Sequence, residues 1–363
     1  MLARRDALAL AAASAAATLA RTARAQAPLA QLQEVATYDQ QGTGVACSRD
    51  GRIFICFPRW DQDVAISVAE LKNGQLTPYP NAEWNAWRNI KPLTPKDHFI
   101  CVQSVTVDPQ GYLWIVDPAA PGLEFIIPEG PKLLKVDLKT DKIVQAFHFG
   151  TDVAPQGSYL NDVRVSADGR WAYLTDSGAK GALVVLDVRS GRARRVLDGA
   201  PSTQPQPGVN VIVNGQELRR PDGRGPQFSA DGIALTNDGK TLYWQPLVGH
   251  TLYAAETADL QAGRGRARVT GPAVVADGYW IARDGRFYST SPGDNSVKLR
   301  RADDSLQIVV QDPRLLWPDS MAEMPDGSLL VTASDIQDMS QWHDKGSTRT
   351  QPYRLFKFTP PPR

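Results

Sequence analysis

Residues 231–244, DGIALTNDGKTLYW, contain the pattern that decides the fold. The segment begins with Asp231, continues with an apolar strand, turns at Asp238-Gly239 and returns as a second apolar strand. An Asp-Gly pair between two apolar runs is a strong signal for a β-hairpin. The segment therefore predicts two antiparallel strands that follow Asp231.

Five other segments repeat this pattern. They are TGVACSRDGRIFICF from Thr43, QSVTVDPQGYLWIVD from Gln103, NDVRVSADGRWAYLTD from Asn161, DGYWIARDGRFYST from Asp277 and DSMAEMPDGSLLVTAS from Asp319. In each of the six segments the turn glycine follows the first residue by 8 positions, and five of the six turns are Asp-Gly. An offset kept six times indicates a structural repeat.

A second strand pair, or part of one, follows each hairpin, so each repeat predicts four strands. The sixth repeat has only YRLFKF at residues 353–358, and LQEVATY at residues 32–38 offers the missing strand. Six four-stranded units closed by strands from both chain ends predict an all-β, six-bladed β-propeller. We expect a single domain over residues 26–363.

The composition excludes several classes of protein. The 363 residues are 42% hydrophobic and 22% charged, with a formal net charge of +1, as in ordered globular proteins. The basic cluster Arg219, Arg220 and Arg224 is short and Gly/Pro-rich, so we interpret it as a solvated loop, and we expect no nucleic-acid partner. No segment after the N-terminal region is apolar for long enough to span a membrane.

Residues 1–25 have the features of an export signal. Arg4-Arg5 precede an Ala/Leu run that ends in Ala23-Arg24-Ala25, which gives a charged start, an apolar middle and a small-residue cleavage site. The paired arginines favour the twin-arginine route, with a Sec-type leader or a plain amphipathic helix as alternatives. We expect a monomeric protein that is periplasmic or secreted.

The first residues of the six repeats should form one ring on the propeller axis, because the first strand of each blade lines the central channel. This axial ring comprises Thr43, Gln103, Asn161, Asp231, Asp277 and Asp319. Asp, Asn and Thr also precede strands as ordinary turn residues. That explanation does not account for three carboxylates from consecutive blades, which would repel one another or have raised pKa values.

A cation would relieve this repulsion. Oxygen ligands without His or Cys favour Ca²⁺ or Mg²⁺ over Zn²⁺. We therefore predict a divalent cation, Ca²⁺ in preference to Mg²⁺, and no organic cofactor; a protonated or water-filled ring is the alternative. The predicted ligands are Asn161, Asp231, Asp277 and Asp319.

The ring end of the channel should also be the binding face, because the longest insertions fall there and long loops on one face usually carry function. The insertions cover about residues 81–100, 199–229 and 334–352. All four histidines and several tryptophans fall on this face: His98, His148, His250, His343, Trp84, Trp87, Trp317 and Trp342. We expect a small-molecule substrate to contact Thr43, Gln103, Tyr159, His250 and Trp342.

Several segments resemble the yellow/major royal jelly protein family. They are PYPNAEWNAW, QSVTVDPQGYLWIVD, SYLNDVRVSADG, DGIALTNDGKTLYWQPL and WPDSMAEMPDGSLLV. The resemblance covers about residues 35–358 and implies a six-bladed propeller. Insect members of the family include secreted ligand-binding proteins and proteins linked to melanin chemistry, so the resemblance implies no single activity.

The ring also resembles that of the gluconolactonase and regucalcin-like lactonases, which hold a divalent cation through a Glu, two Asn and an Asp. Asn161-Asp162 matches their Asn-Asp, and Asp231-Gly232 stands in place of an Asn-Gly. Asp277-Gly278 matches their Asp-Gly, whose Asp is a ligand and the proposed general base.

Two positions depart from that pattern. Thr43 replaces the glutamate ligand, and Tyr159 replaces a substrate-binding arginine. Asp319 offers a substitute carboxylate from the sixth blade. These departures leave the fold unaffected but weaken the transfer of lactonase activity.

Three functions follow as hypotheses. The first is a metal-dependent hydrolase that opens a sugar lactone or similar small ester, with the cation as Lewis acid and Asp277 taking a proton from water. The second is a secreted, non-enzymatic protein that binds a small ligand. The third, implied only by the resemblance to some insect members of the family, is a tautomerase or isomerase for a quinone-like substrate, with histidines of the binding face as acid and base. No G-x-S-x-G motif supports a serine hydrolase.

Overall fold

Six antiparallel, four-stranded sheets form the computed structural model, which describes residues 29–362. The predicted signal peptide, residues 1–25, lies outside the described residues. Before the first blade comes β1 (Gln33–Tyr38). Blade 1 contains β2 (Val45–Cys47), β3 (Ile53–Cys56), β4 (Val68–Lys72) and β5 (Gln75–Pro78). Blade 2 contains β6 (Ser104–Val107), β7 (Tyr112–Asp117), β8 (Lys132–Asp137) and β9 (Lys142–His148).

The third and fourth blades are separated by a two-stranded hairpin. Blade 3 contains β10 (Leu160–Val165), β11 (Trp171–Asp176), β12 (Ala182–Asp187) and β13 (Arg192–Val196). The hairpin consists of β14 (Ile212–Val213) and β15 (Gln216–Glu217). Blade 4 contains β16 (Ala230–Leu235), β17 (Thr241–Pro246), β18 (Thr251–Glu256), the short helix α1 (Thr257–Gln261) and β19 (Arg268–Pro272).

The last two blades complete the ring. Blade 5 contains β20 (Tyr279–Ile281), β21 (Phe287–Ser291), β22 (Ser296–Arg300) and β23 (Leu306–Gln311). Blade 6 contains β24 (Pro318–Glu323), β25 (Leu329–Ala333) and β26 (Tyr353–Phe358). Its fourth strand is β1, which pairs antiparallel with β26. The all-β, six-bladed propeller and its closure by strands from both chain ends are thus confirmed.

Apolar side chains from neighbouring blades pack between the sheets. One cluster joins blades 2 and 3 through Trp114, Leu133, Val163 and Leu174, all of which are buried. Polar edges of each sheet face outward, as in strands β9 and β13, where exposed or half-buried residues predominate. No helix among residues 29–362 is long and apolar enough to cross a membrane.

Two glycines allow the innermost strands of neighbouring blades to approach closely. A Cβ atom on Gly232 would lie 2.3 Å from the carbonyl oxygen of Asp277, and one on Gly278 would lie 2.1 Å from that of Asp319. Both distances are too short for any side chain. The glycine of each Asp-Gly pair therefore has a packing role, and it brings three ring carboxylates toward the same axis.

Candidate functional site

The axial ring lies at the floor of a cavity of about 430 Å³ at one end of the channel. Five of the six ring residues line this axial cavity: Gln103, Asn161, Asp231, Asp277 and Asp319. All five are at least nine-tenths buried. The prediction that the first residues of the repeats converge on the axis is correct for these five positions.

Irregular strand pairing helps to direct three of these side chains. The register of the two innermost strands shifts between Leu160 and Val163, between Ala230 and Ile233, and between Pro318 and Met321. Each shift contains one ring residue. Such bulges reorient side chains and are common beside functional sites.

Asp231 and Asp277 form a hydrogen-bonded pair of carboxyl groups. Burial raises the pKa of Asp231 well above its usual range, and the negative charges of Asp277, Asp162 and Asp319 add to the effect. Burial also raises the pKa of Asp277, to about 7, although hydrogen bonds from Trp317 and Asp231 oppose the rise. The two groups thus bind protons with different affinities and share one proton near neutral pH.

Trp317 holds Asp277 directly. Its indole Nε1 donates to Asp277 Oδ2 at 2.5 Å, and the whole side chain is buried. Trp317 occupies the position two residues before Asp319, as Tyr159 does before Asn161. The substrate contacts predicted from the sequence omit Trp317, although this shared position is a signal that identifies it.

Asp319 has its own hydrogen-bond donors. The Ser334 hydroxyl donates to Oδ2 at 2.9 Å and the Ser320 hydroxyl donates to Oδ1 at 3.1 Å. Burial, and then the charges of Asp277 and Asp162, raise the pKa of Asp319 well above its usual range. All three carboxyl groups of the acidic side of the ring therefore have raised pKa values, with burial as the main cause.

Tyr159 links the ring to the cavity wall. Its hydroxyl donates to Gln103 Oε1 at 2.9 Å and accepts from Trp60 Nε1 at 2.7 Å. Gln103 Nε2 in turn donates to Asn161 Oδ1 at 3.3 Å. Tyr159, Gln103 and Trp60 all line the cavity.

A buried ion pair positions Tyr159. The Asp176 carboxylate accepts from the Tyr159 backbone N–H at 2.7 Å and lies 2.5 Å from Arg195 Nη1. In blade 2 the Asp117 carboxylate likewise accepts a hydrogen bond from the backbone N–H of Cys101 at 2.9 Å. Both carboxylates are fully buried, so the segment before each of these ring residues is rigidly held.

Thr43 and His250 do not line the axial cavity, although both were predicted to contact substrate. Thr43 is fully buried, and its hydroxyl donates to the carbonyl oxygen of Gln103 at 2.8 Å. His250 is exposed, and its backbone N–H donates to Gln206 Oε1 at 2.6 Å. The structure brings the other predicted contacts, Gln103, Tyr159 and Trp342, to the cavity.

None of the four histidines in the described part of the chain lines this cavity. Two of the three long insertions do contribute: residues 220–228 and 336–342 form one wall. The insertion at residues 81–100 instead packs Trp84 and Trp87 into the apolar cores. The isomerase hypothesis therefore lacks the histidines on which it depended.

One side chain crosses the channel below the ring. Arg164 Nη2, from β10 in blade 3, donates to the carbonyl oxygen of Tyr279 in β20 of blade 5 at 2.8 Å. Because blades 3 and 5 are not neighbours, this side chain spans the channel. The same arginine lines a separate cavity of about 230 Å³ at the Asp-Gly turn end. The cavity that contains the ring residues opens on the side of the insertions at residues 220–228 and 336–342.

The family assignment comes from a match between the sequence and a family model. A model of the major royal jelly protein family matches residues 100–351, more than half of the chain. The chain belongs to the major royal jelly protein family. No curated protein matches its sequence.

Several solved structures of named proteins are similar to the structure of this chain. A gluconolactonase from Xanthomonas campestris has 15% identity and a TM-score of 0.53, with 92% of this chain and 90% of that chain covered. A calcium-binding protein, regucalcin, from Agrobacterium tumefaciens has 15% identity and a TM-score of 0.55, with 92% and 94% covered. Virginiamycin B lyase from Staphylococcus aureus has 14% identity and a TM-score of 0.51, with 91% and 99% covered. At these identities the likeness establishes the fold alone.

The donor chemistry at the ring of this royal jelly family member suits a hard cation, because carboxylate and amide oxygens are ligands for Ca²⁺ and Mg²⁺. The predicted ligands Asn161, Asp231, Asp277 and Asp319 all reach the cavity floor. Within residues 29–362, however, no group of three or more His, Cys, Asp or Glu side chains is arranged to hold a metal ion. A cation would have to replace the proton between Asp231 and Asp277 and draw its remaining ligands from Asn161, Asp319 and water.

Proposed function

We propose that this protein hydrolyses small cyclic esters, the lactones, in the axial cavity. The observation that carries the proposal is the hydrogen-bonded pair Asp231–Asp277 on the cavity floor. Opening a lactone with water requires a base for the attacking water and an acid for the departing ring oxygen. Two carboxyl groups in contact, with different proton affinities, can supply both.

Each carboxyl group has a distinct part in this scheme. Asp277, whose pKa is about 7, accepts a proton from the water that attacks the carbonyl carbon. Asp231, whose pKa lies well above its usual range, is protonated and donates its proton to the ring oxygen as the C–O bond breaks. The product is the open-chain hydroxy acid, and the pair regains its starting state when Asp277 passes its proton to Asp231.

Metal dependence is an alternative form of the proposal, because a cation held by Asp231 and Asp277 would replace the proton that Asp231 donates. The residues that would hold a divalent cation are Asn161, Asp231, Asp277 and Asp319. When bound, the cation would polarise the carbonyl group of the substrate as a Lewis acid. A solved gluconolactonase and a calcium-binding regucalcin have the same fold as this chain, which supports the proposal.

A second candidate is a secreted protein that binds a small ligand without converting it. The cavity walls favour it, because aromatic and aliphatic side chains predominate there, among them Trp60, Phe228, Trp317 and Trp342. Thr43 and Tyr159 also depart from the residues of the lactonases that the ring resembles. Apolar walls with a few converging polar groups are typical of ligand sites in general.

Hydrolysis of a lactone panel tests the proposal against this alternative. Aliphatic, sugar and aromatic lactones would be incubated with the purified protein after chelation, and again with added Ca²⁺ or Mg²⁺, while acid release is followed by pH-stat titration. We expect hydrolysis that is lost in Asp277→Asn and retained in Asp303→Asn, since Asp303 is exposed and far from the ring. Binding of lactones without any acid release would favour the ligand-binding protein. Full activity after chelation would remove the metal from the proposal and leave the carboxyl pair.

A further inference from the structure

The arginines of the 219–224 loop differ in their partners. Arg219 Nη2 lies 2.6 Å from Glu217, and Arg224 Nη2 lies 2.6 Å from Asp222. Arg219 lies outside the axial cavity, as expected for a solvated loop, whereas Arg224 lines the cavity with its charge paired to Asp222. Arg220 makes no ion pair with any described residue, so its charge is left for another partner.

Arg220 is held at the cavity wall by two neighbours. Its guanidinium carbon lies 5.5 Å from the centre of the Trp342 ring, and its Nη2 donates to Gln341 Oε1 at 2.7 Å. All three side chains line the axial cavity. Stacking on the indole fixes the plane of the guanidinium and leaves its other N–H groups free to form paired hydrogen bonds, which suit a carboxylate.

An apolar cluster that includes Trp342 forms part of the cavity lining, while Ser158, Ser177 and Gln227 are polar members of the same lining. The cluster also contains Leu123, Phe228, Leu247, Ile336 and Met339. These side chains provide no hydrogen bonds for the hydroxyl groups of a sugar, and burying such hydroxyls without partners is costly. An aromatic or aliphatic ring, in contrast, gains free energy by leaving water for such a cluster.

Charge also fixes how a ligand would lie in the cavity. Asp277 at the floor, in its ionised form, repels a second negative group, whereas Arg220 attracts it. Glu124 is the acidic side chain of the lining outside the ring, and it is exposed to water, so its charge is screened. An anionic group is thus directed away from the ring and toward Arg220.

We infer that the substrates are apolar, ring-containing lactones that carry a carboxylate, and that Arg220 binds this carboxylate and determines specificity. The inference rests on the proposed hydrolysis for the reacting group. The ligand class itself follows from the apolar cluster and from Arg220, so binding can be measured without any reaction.

The test compares two pairs of compounds. Dihydrocoumarin and a derivative with a carboxylate on its aromatic ring report hydrolysis. The corresponding lactams, 3,4-dihydroquinolin-2-one with and without the same carboxylate, resist opening by water and report binding by isothermal calorimetry. In Arg220→Gln we expect the preference for the carboxylated member to fall by about 10- to 100-fold in both kcat/KM and Kd. This is the usual loss when a charged hydrogen-bond partner is removed.

Arg219→Gln is the matched control, because it removes the same charge from the same loop but from a residue outside the cavity. We expect it to keep the preference of the unaltered protein. Arg220→Lys keeps the charge without the planar pair of donors, so an intermediate preference is expected, and this variant decides the question if Arg220→Gln does not fold.

Three outcomes separate the possibilities. Equal losses in Arg219→Gln and Arg220→Gln, or no preference for the carboxylated compounds in the unaltered protein, would overturn the inference. Arg220-dependent binding of the lactams without hydrolysis of the lactones would sustain the ligand class and overturn the proposed hydrolysis. Hydrolysis that does not depend on Arg220 would sustain the proposed hydrolysis and overturn the ligand class.

Discussion

The axial ring has a neutral half and an acidic half, and the two halves use their side chains differently. In the neutral half, from blades 1–3, Thr43 donates to the Gln103 backbone and Gln103 donates to Asn161. These contacts join one blade to the next. In the acidic half, from blades 4–6, Asp231, Asp277 and Asp319 have pKa values raised by burial. A protein gains no stability from such burial, so these carboxyl groups are better explained by chemistry than by architecture.

The largest effect should follow from removing the proton donor of the acidic half. Asp231→Asn keeps the size of the side chain but cannot donate a proton to a departing oxygen. We expect kcat for aliphatic lactones to fall by about 10²- to 10⁴-fold, the usual contribution of acid–base catalysis. Lactones with a phenolic leaving oxygen need less protonation and should lose less. An equal loss for both classes would argue against this role of Asp231.

The second-largest effect should be a change in the stability of the folded protein when Asp319 is replaced. Asp319 binds its proton more tightly in the folded protein than in the unfolded chain, because burial raises its pKa. Its contribution to folding is therefore complete at pH values below the unfolded pKa and is lost as the pH rises toward the folded pKa. We expect Asp319→Asn to stabilise the protein at pH 8 by about 1–3 kcal/mol and by less at pH 5.

Urea unfolding at the two pH values measures this difference. Asp303 is exposed, and hydrogen bonds from Ser305 lower the pKa of its carboxyl group. Asp303→Asn should therefore give no such gain in stability. A gain that is independent of pH would show that relief of buried charge is not its cause.

A smaller effect should follow from the contact between Trp317 and Asp277. The indole N–H favours the ionised form of Asp277 and so lowers its pKa. Trp317→Phe removes this donor and keeps an aromatic ring. We expect the acidic limb of the pH profile of kcat/KM to move upward by about one pH unit, because Asp277 must be ionised to act as a base. An unchanged limb would show that another group controls the profile.

The smallest effect is expected in the neutral half. Thr43→Val keeps the shape of the side chain and removes the hydrogen bond to the Gln103 carbonyl. We expect the free energy of unfolding to fall by about 1 kcal/mol and the catalytic constants to stay unchanged. A large loss of turnover in this variant would abolish the distinction between the two halves of the ring.

The sequence was sufficient to predict the propeller and the ring, because both depend on a periodic pattern. Each Asp-Gly turn fixes a hairpin, and a constant offset from turn to ring residue places equivalent side chains on the axis. The closing role of residues 32–38 was predictable for the same reason: the sixth repeat lacked one strand. The family resemblance was also confirmed, by the match over residues 100–351.

The walls of the cavity were not predictable in this way. Trp317 reaches Asp277 across 40 residues, with a left-handed backbone at φ 49°, and no periodicity encodes that contact. Arg220 was grouped with its neighbours as a solvated residue, because the sequence shows three similar arginines and not which of them has a partner. His250 was assigned to the site from its loop, although a loop on the binding face can still direct its side chain to solvent.

The pairing of β1 with β26 sets the order in which the molecule can be assembled. Gln33 lies opposite Lys357 in this pair, so the contact joins positions at opposite extremes of the described chain. Contacts between such distant positions form slowly, because a long loop must close first. Until then the edge of β26 is an unpaired strand that can recruit another chain. Aggregation during refolding should therefore depend on how soon β1 reaches its place, more than on the stability of any single blade.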